Sequence, residues 1–94
     1  MHILIVGKSF SGTKTSLLNH GYSFTELRDI ATTKYPDKKF KNRVVCDFST
    51  VDSILSTVDS IQLKQPIDGI ITTYEAYVLD ASRIAHHLSL PVLS

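Results

Sequence analysis

The sequence predicts a three-layer α/β domain, in which a mostly parallel sheet is covered by helices on both faces. Two observations carry this. The first is a continuous β-branched run, Ile3 to Val6, closed by Gly7, which suits a central parallel strand buried on both sides. The second is a change of period along the chain. Segments of strand character alternate with segments whose apolar residues recur three and four apart, and that alternation favours parallel strands joined by right-handed helical crossovers.

The elements follow in order. After the first strand, residues 13 to 20 are expected to form a short helix, with Ser11 or Thr13 near its start and Gly21 at its stop. The stretch "YSFTEL" (22–27) reads as a strand, and "RVVCDF" (43–48) as another. From Thr50 to Gln62 the apolar residues Val51, Ile54, Leu55, Val58 and Ile61 mark one helix face, with Asp52, Ser53, Ser56 and Asp59 turned outward. Pro66 ends that region. "IDGIIT" (67–72) is a short buried strand, and Thr72 with Glu75 forms a capping box for the next helix. Val78, Ala81, Ile84, Ala85 and Leu88 define the buried face of that helix, and "PVLS" begins a last strand.

Length and composition set bounds. Ninety-four residues make one domain, 1–94, with a single core. The net charge is +1, so no polyelectrolyte partner is implied overall. Charge is nevertheless divided: Met1 to Arg43 carries eight Lys or Arg against three Asp or Glu, and Val44 to Ser94 two against six. The basic excess lies mostly in "KYPDKKFKNR" (34–43), read as a solvated loop; Tyr35 and Phe40 alone do not make a nucleic-acid surface. One cysteine, Cys46, excludes an internal disulfide and a thiolate metal cluster. "ILIV" is too short for a membrane span or a signal-peptide core, so a cytoplasmic chain with no membrane partner is expected.

In this architecture ligands sit outside the carboxyl ends of the strands. The loop "GKSFSGTKT" after the first strand is therefore compared with known phosphate cradles. For a Walker A loop Gly7 and Gly12 are correctly spaced, but Thr13 intrudes before Lys14, which rotates the lysine by roughly 100° about the helix axis. For a dinucleotide fingerprint, Ser9 stands where the middle glycine must admit the pyrophosphate, with Glu26 or Asp29 as candidate ribose ligands. Otherwise Gly7 and Gly12 supply only a tight turn and the hydroxyls cap the helix. His86 and His87 diverge by roughly 100° on a helix, no acidic or thiol ligand stands at useful spacing, and no metal site is expected. His2 and His20 are read as strand and surface residues. Asp47, at a strand end, either binds a ligand or joins Ser49 in starting the next helix.

Two family resemblances bear on function. "ILIVGKSFSGTKTSLL" resembles the opening of the small IIB proteins of bacterial sugar phosphotransferase systems, which implies a phosphocarrier or binding module. Gly7, however, stands where that family has its phosphoryl-carrying cysteine. "IDGIITTYEAYVLDASRIAHHLSLP" (67–91) resembles the strand and helix that close the N-terminal, pre-ATP-grasp domain of ATP-grasp carboxylate–amine ligases: Asp68 and Gly69, the Ile70–Ile71 strand, Thr72, Thr73 and Glu75, Ala81 and Ala85, then Leu90 and Pro91. "VVCDFSTVDSILSTV" (44–58) is similar to the preceding strand, Asp and helix of that family.

The second resemblance implies a Rossmann-like domain at the front of an enzyme that activates a carboxylate as an acyl phosphate for transfer to an amine. It implies ATP and Mg in the parent enzyme but none held by this chain, and no catalytic residue here. The expected partners are the remaining ATP-grasp domains of the same polypeptide and a small-molecule carboxylate substrate; homodimerisation stays open. Residues 1–94 are expected to be a domain of a longer enzyme that continues past Ser94. The expected substrate-side residues are Gly7, Lys8, Ser9 and Ser11 in the first loop and Thr73, Tyr74 and Glu75 after the fourth strand, with Lys8 as charge partner and Glu75 orienting an amino group.

Overall fold

The computed structural model describes residues 1–33 and 41–93. Five parallel strands, β1 (His2–Val6), β2 (Ser23–Asp29), β3 (Arg43–Cys46), β4 (Gly69–Ile71) and β5 (Val92–Leu93), form one sheet in the order β3-β2-β1-β4-β5. Helices α1 (Ser11–Asn19), α2 (Val51–Lys64) and α3 (Val78–Leu88) connect them, with a single 3-10 turn, Glu75–Tyr77, before α3. This is a three-layer Rossmann-like arrangement.

β1 is central because its sequence permits nothing else: all five of its residues are buried, and only a strand flanked on both edges and both faces hides such a run. Alternate residues serve opposite layers. Leu4 and Val6 join Leu27 and Ile70 in one cluster with Ile54, Val58 and Ile61 of α2 and Ala81, Ile84 and Ala85 of α3. α1 contributes nothing to that cluster and packs on the other face, beside β2. The chain thus leaves β1 toward β2 on one face and returns from β3 to β4 on the other. β1 and β4 mark the switch point, where the two connections diverge and open a crevice at the strands' carboxyl ends.

α2 starts at Thr50, whose side chain accepts a hydrogen bond from the Ser53 amide, and Asp52 lies in its first turn. Asp47 does not cap it; its Oδ1 accepts from the Ser49 amide at 2.8 Å in the turn before. α3 stops at Ser89 in the left-handed conformation (φ 56°). The expected capping box is not formed. The Thr72 hydroxyl donates to the carbonyls of Val6 and Tyr74, and Glu75 opens the 3-10 turn with its side chain exposed. Two loops needed joining there, and that claim on the threonine displaced the local cap.

The Lys-rich segment falls largely outside the described residues. Arg43, at its end, begins β3, as the strand reading of 43–48 has it, and binds Glu26. His2 is buried, with Nε2 2.8 Å from Thr25 Oγ1 and Nδ1 facing the carbonyls of Gln65 and Pro66. Among the described residues no helix is long and apolar enough to cross a membrane.

Candidate functional site

The switch-point crevice is built from the loop after β1 and the loop after β4. Gly7 makes the first turn possible. Its φ is +82°, and its α-carbon lies so close to the Tyr77 ring that a β-carbon would overlap it. Gly12 has no such duty: it lies within α1 with open space around it, so the turn depends on one glycine and not two. Nor do hydroxyls cap α1, because its N-cap position is Phe10 and no side chain bonds there.

Two threonines tie the loops together. Thr72 donates to the Val6 carbonyl at 3.0 Å, and Thr73 donates to the Lys8 carbonyl at 3.2 Å. Phe10 and Tyr74 stack across the same gap, with ring centroids 5.3 Å apart. Of the expected residues, Gly7, Lys8, Thr73 and Tyr74 therefore come together at one edge, although the two groups are over sixty positions apart. Lys8 and Glu75 have exposed side chains. Ser11 is the first residue of α1. Ser9 turns away from the crevice and donates to Glu26 Oε2 at 3.1 Å.

Tyr77 was not among the expected residues. Its ring floors Gly7, meets Phe48 edge-on at 5.8 Å, and lies with its hydroxyl 3.4 Å from Thr32 Oγ1. It thus touches the loops that follow β1, β2 and β3, and nothing in the local sequence marks it, since each partner is distant along the chain.

Behind the loop lies a second, more polar arrangement. Glu26 on β2 is 2 % exposed. Its Oε2 accepts from Lys14 Nζ at 2.9 Å, and its Oε1 from Arg28 Nη1 at 3.2 Å and Arg43 Nε at 2.8 Å. Burial by itself raises the carboxyl pKa, but the hydrogen bond and charge of Lys14, then the bonds from Arg28 and Arg43, hold it below its ordinary value. Glu26 is consequently not available as a ribose ligand. Asp29 is occupied as well: its Oδ1 accepts from the amides of Ala31 at 3.1 Å and Phe48 at 3.4 Å.

Other nucleophile and metal readings find little to work with. Cys46 is buried on β3, and burial pushes its thiol up, only partly offset by a hydrogen bond with Thr57. That is a poor setting for a phosphoryl carrier. His87 pairs with Asp59 at 2.9 Å, and the described residues contain no group of three or more His, Cys, Asp or Glu able to hold a metal ion.

The sequence profile of the ATP-grasp N-terminal domain matches residues 23–92, from β2 to β5. The crystal structure of an L-amino acid ligase from Bacillus licheniformis superposes with a TM-score of 0.76 at 17% identity, covering 98% of this chain and 24% of that enzyme. At that identity the likeness is one of fold. This chain spans about a quarter of that enzyme's length. No curated protein sequence matches. The profile covers most of the chain, and on that match the chain belongs to the ATP-grasp N-terminal domain family.

Proposed function

We propose that the domain forms the substrate side of an ATP-grasp ligase that activates a carboxylate as an acyl phosphate and passes it to an amine. The observation behind this reading is the pair of threonine bonds that hold the Gly7–Phe10 and Thr72–Tyr74 loops as one edge at the switch point. α1 starts directly after this loop with no side-chain cap and no acidic residue in its first turn, an environment that favours a carboxylate. Lys8 adds an exposed positive charge beside it, and Glu75 an exposed negative one suited to an ammonium group.

In this reading ATP and Mg belong to the other domains of the polypeptide, because Lys14 and Glu26 are committed to each other and the described residues include no group of three or more His, Cys, Asp or Glu able to hold a metal ion. Those groups supply the phosphoryl donor and its charge neutralisation; this chain's residues bind and orient the carboxylate. Alone the domain does not turn over. The location is cytoplasmic, where ATP is available.

The test uses the complete polypeptide with hydroxylamine as the acceptor, which traps an acyl phosphate as a hydroxamate. Lys8→Ala is expected to raise KM for the carboxylate by about tenfold, equivalent to about 1.4 kcal/mol, and to leave KM for ATP unchanged. A change in KM for ATP with none for the carboxylate would move the loop to the nucleotide side and sink the assignment.

A further inference from the structure

From the groove between α2 and α3 we infer a second ligand site, independent of the reading of the switch-point crevice, that takes a small apolar monocarboxylate. The groove has a volume of about 440 Å³ and is lined by Val51 and Leu55 of α2 and by Ser82, Arg83, His86 and His87 of α3. That volume falls in the range of small-molecule sites, which join mostly apolar walls to a few polar groups. No carboxylate side chain lines it.

The apolar wall comes from residues that the core does not use up. α2 buries Ile54, Val58 and Ile61 against the sheet, and α3 buries Ala81, Ile84 and Ala85. Val51 and Leu55 are four apart and so share one face of α2, beside that buried stripe. Val51 is 38% exposed and Leu55 is only partly buried. The wall opposite is tied to them: His87 Nε2 lies 2.9 Å from Asp59 Oδ1, a bond that joins α3 to α2 at the groove.

The polar wall carries one uncommitted charge. His87 and Asp59 answer each other. Among the described residues Arg83 makes no hydrogen bond or ion pair, and the His86 ring and Ser82 hydroxyl have no partner either. Asp80, one turn back from Arg83, lies beyond ion-pair distance; burial raises its carboxyl pKa, and the Arg83 charge offsets that only in part. A guanidinium grips a carboxylate through two parallel hydrogen bonds. With one such group, the charge that fits is a single one. The body of the ligand then covers Val51 and Leu55 and takes their apolar surface out of water. Phosphate or a dicarboxylate would bring a second charge that no second permanent cation meets, and would leave the apolar wall bare.

Titration of the 94-residue chain with phenylacetate, followed by amide chemical shifts at constant ionic strength, tests the site. Because Arg83 is exposed, solvent screens its charge, and saturable binding with a Kd of roughly 1 mM is expected. Acetate, which lacks the apolar body, and phenylacetamide, which lacks the charge, should each bind at least about tenfold more weakly. Arg83→Gln should weaken phenylacetate binding about tenfold, and Val51→Thr about threefold. Lys64→Gln, which removes the same charge at the far end of α2, should leave it unchanged. Shifts should centre on residues 51–55 and 82–87. No saturable binding, equal affinity for acetate or phenylacetamide, equal weakening by Arg83→Gln and Lys64→Gln, or shifts centred on residues 7–10 and 72–75 would each overturn the inference.

Discussion

Gly7 and Tyr77 are seventy positions apart in sequence and in contact in the fold, the glycine backbone lying against the face of the tyrosine ring. The ring leaves no room for a side chain on Gly7, and the positive φ of the glycine disfavours one in any case. Gly7→Ala is expected to destabilise the domain by about 2–4 kcal/mol, from overpacking and left-handed strain together. Gly12→Ala should instead stabilise it by about 0.5–1 kcal/mol, since that position is helical and open. Urea unfolding of the two variants compares them directly; a Gly12→Ala loss as large as that of Gly7→Ala would refute the assignment of the turn to Gly7.

Acid should act first through Glu26. Its carboxyl is held below its ordinary value in the folded chain, so its contribution is complete above about pH 4.5, the unfolded value, and is lost as pH falls through the folded pKa. Glu26→Gln should remove that part of the acid transition. It should also cost about 3 kcal/mol at neutral pH by removing the carboxylate that pairs with Lys14 and Arg28. Stability curves against pH for both proteins check this, and identical slopes below pH 4.5 would contradict it.

The bond from Thr72 to Val6 joins the two loops of the crevice. Thr72→Val keeps the shape and removes the hydroxyl, with an expected loss of about 1–2 kcal/mol, whereas Thr72→Ser should retain most of the stability. Faster amide exchange in residues 7–10 and 72–74 of the valine variant would show the loops parting. Equal behaviour of the two variants would mean that the hydroxyl does not tie them.

Ser89 ends α3 with φ 56°, a left-handed conformation that glycine adopts freely. Ser89→Gly should raise stability by about 0.5–1 kcal/mol and shift Tm upward. A decrease would imply that the serine side chain supplies a compensating contact.

Much of this protein was legible in its sequence. The continuous run Ile3 to Val6 demanded a central strand, the spacing of Ile54, Val58 and Ile61 demanded a helix facing a sheet, and alternation of the two made the strands parallel. These signals depend on burial and periodicity, which local order records. The motif "IDGIITTYEAYVLDASRIAHHLSLP" pointed to the family that the profile match then showed. The loops bearing Lys8, Thr73 and Tyr74 could be placed at the carboxyl edge because parallel topology puts them there.

What tertiary structure alone decided was which side chains those elements would share. Thr72 reads locally as a helix cap, yet a carbonyl sixty-six positions away claims its hydroxyl. Glu26 is, with Asp29, a candidate ribose ligand if the first loop is laid on a dinucleotide fingerprint, yet cations from α1, β2 and β3 occupy it. Arg43 reads both as the end of the basic loop and as the start of a strand, and strand register places it beside that same carboxylate. Periodicity reports the face a residue occupies but not its partner. Hydrogen bonds and ion pairs require approach to about 3 Å, a distance set only when all the strands and helices have packed.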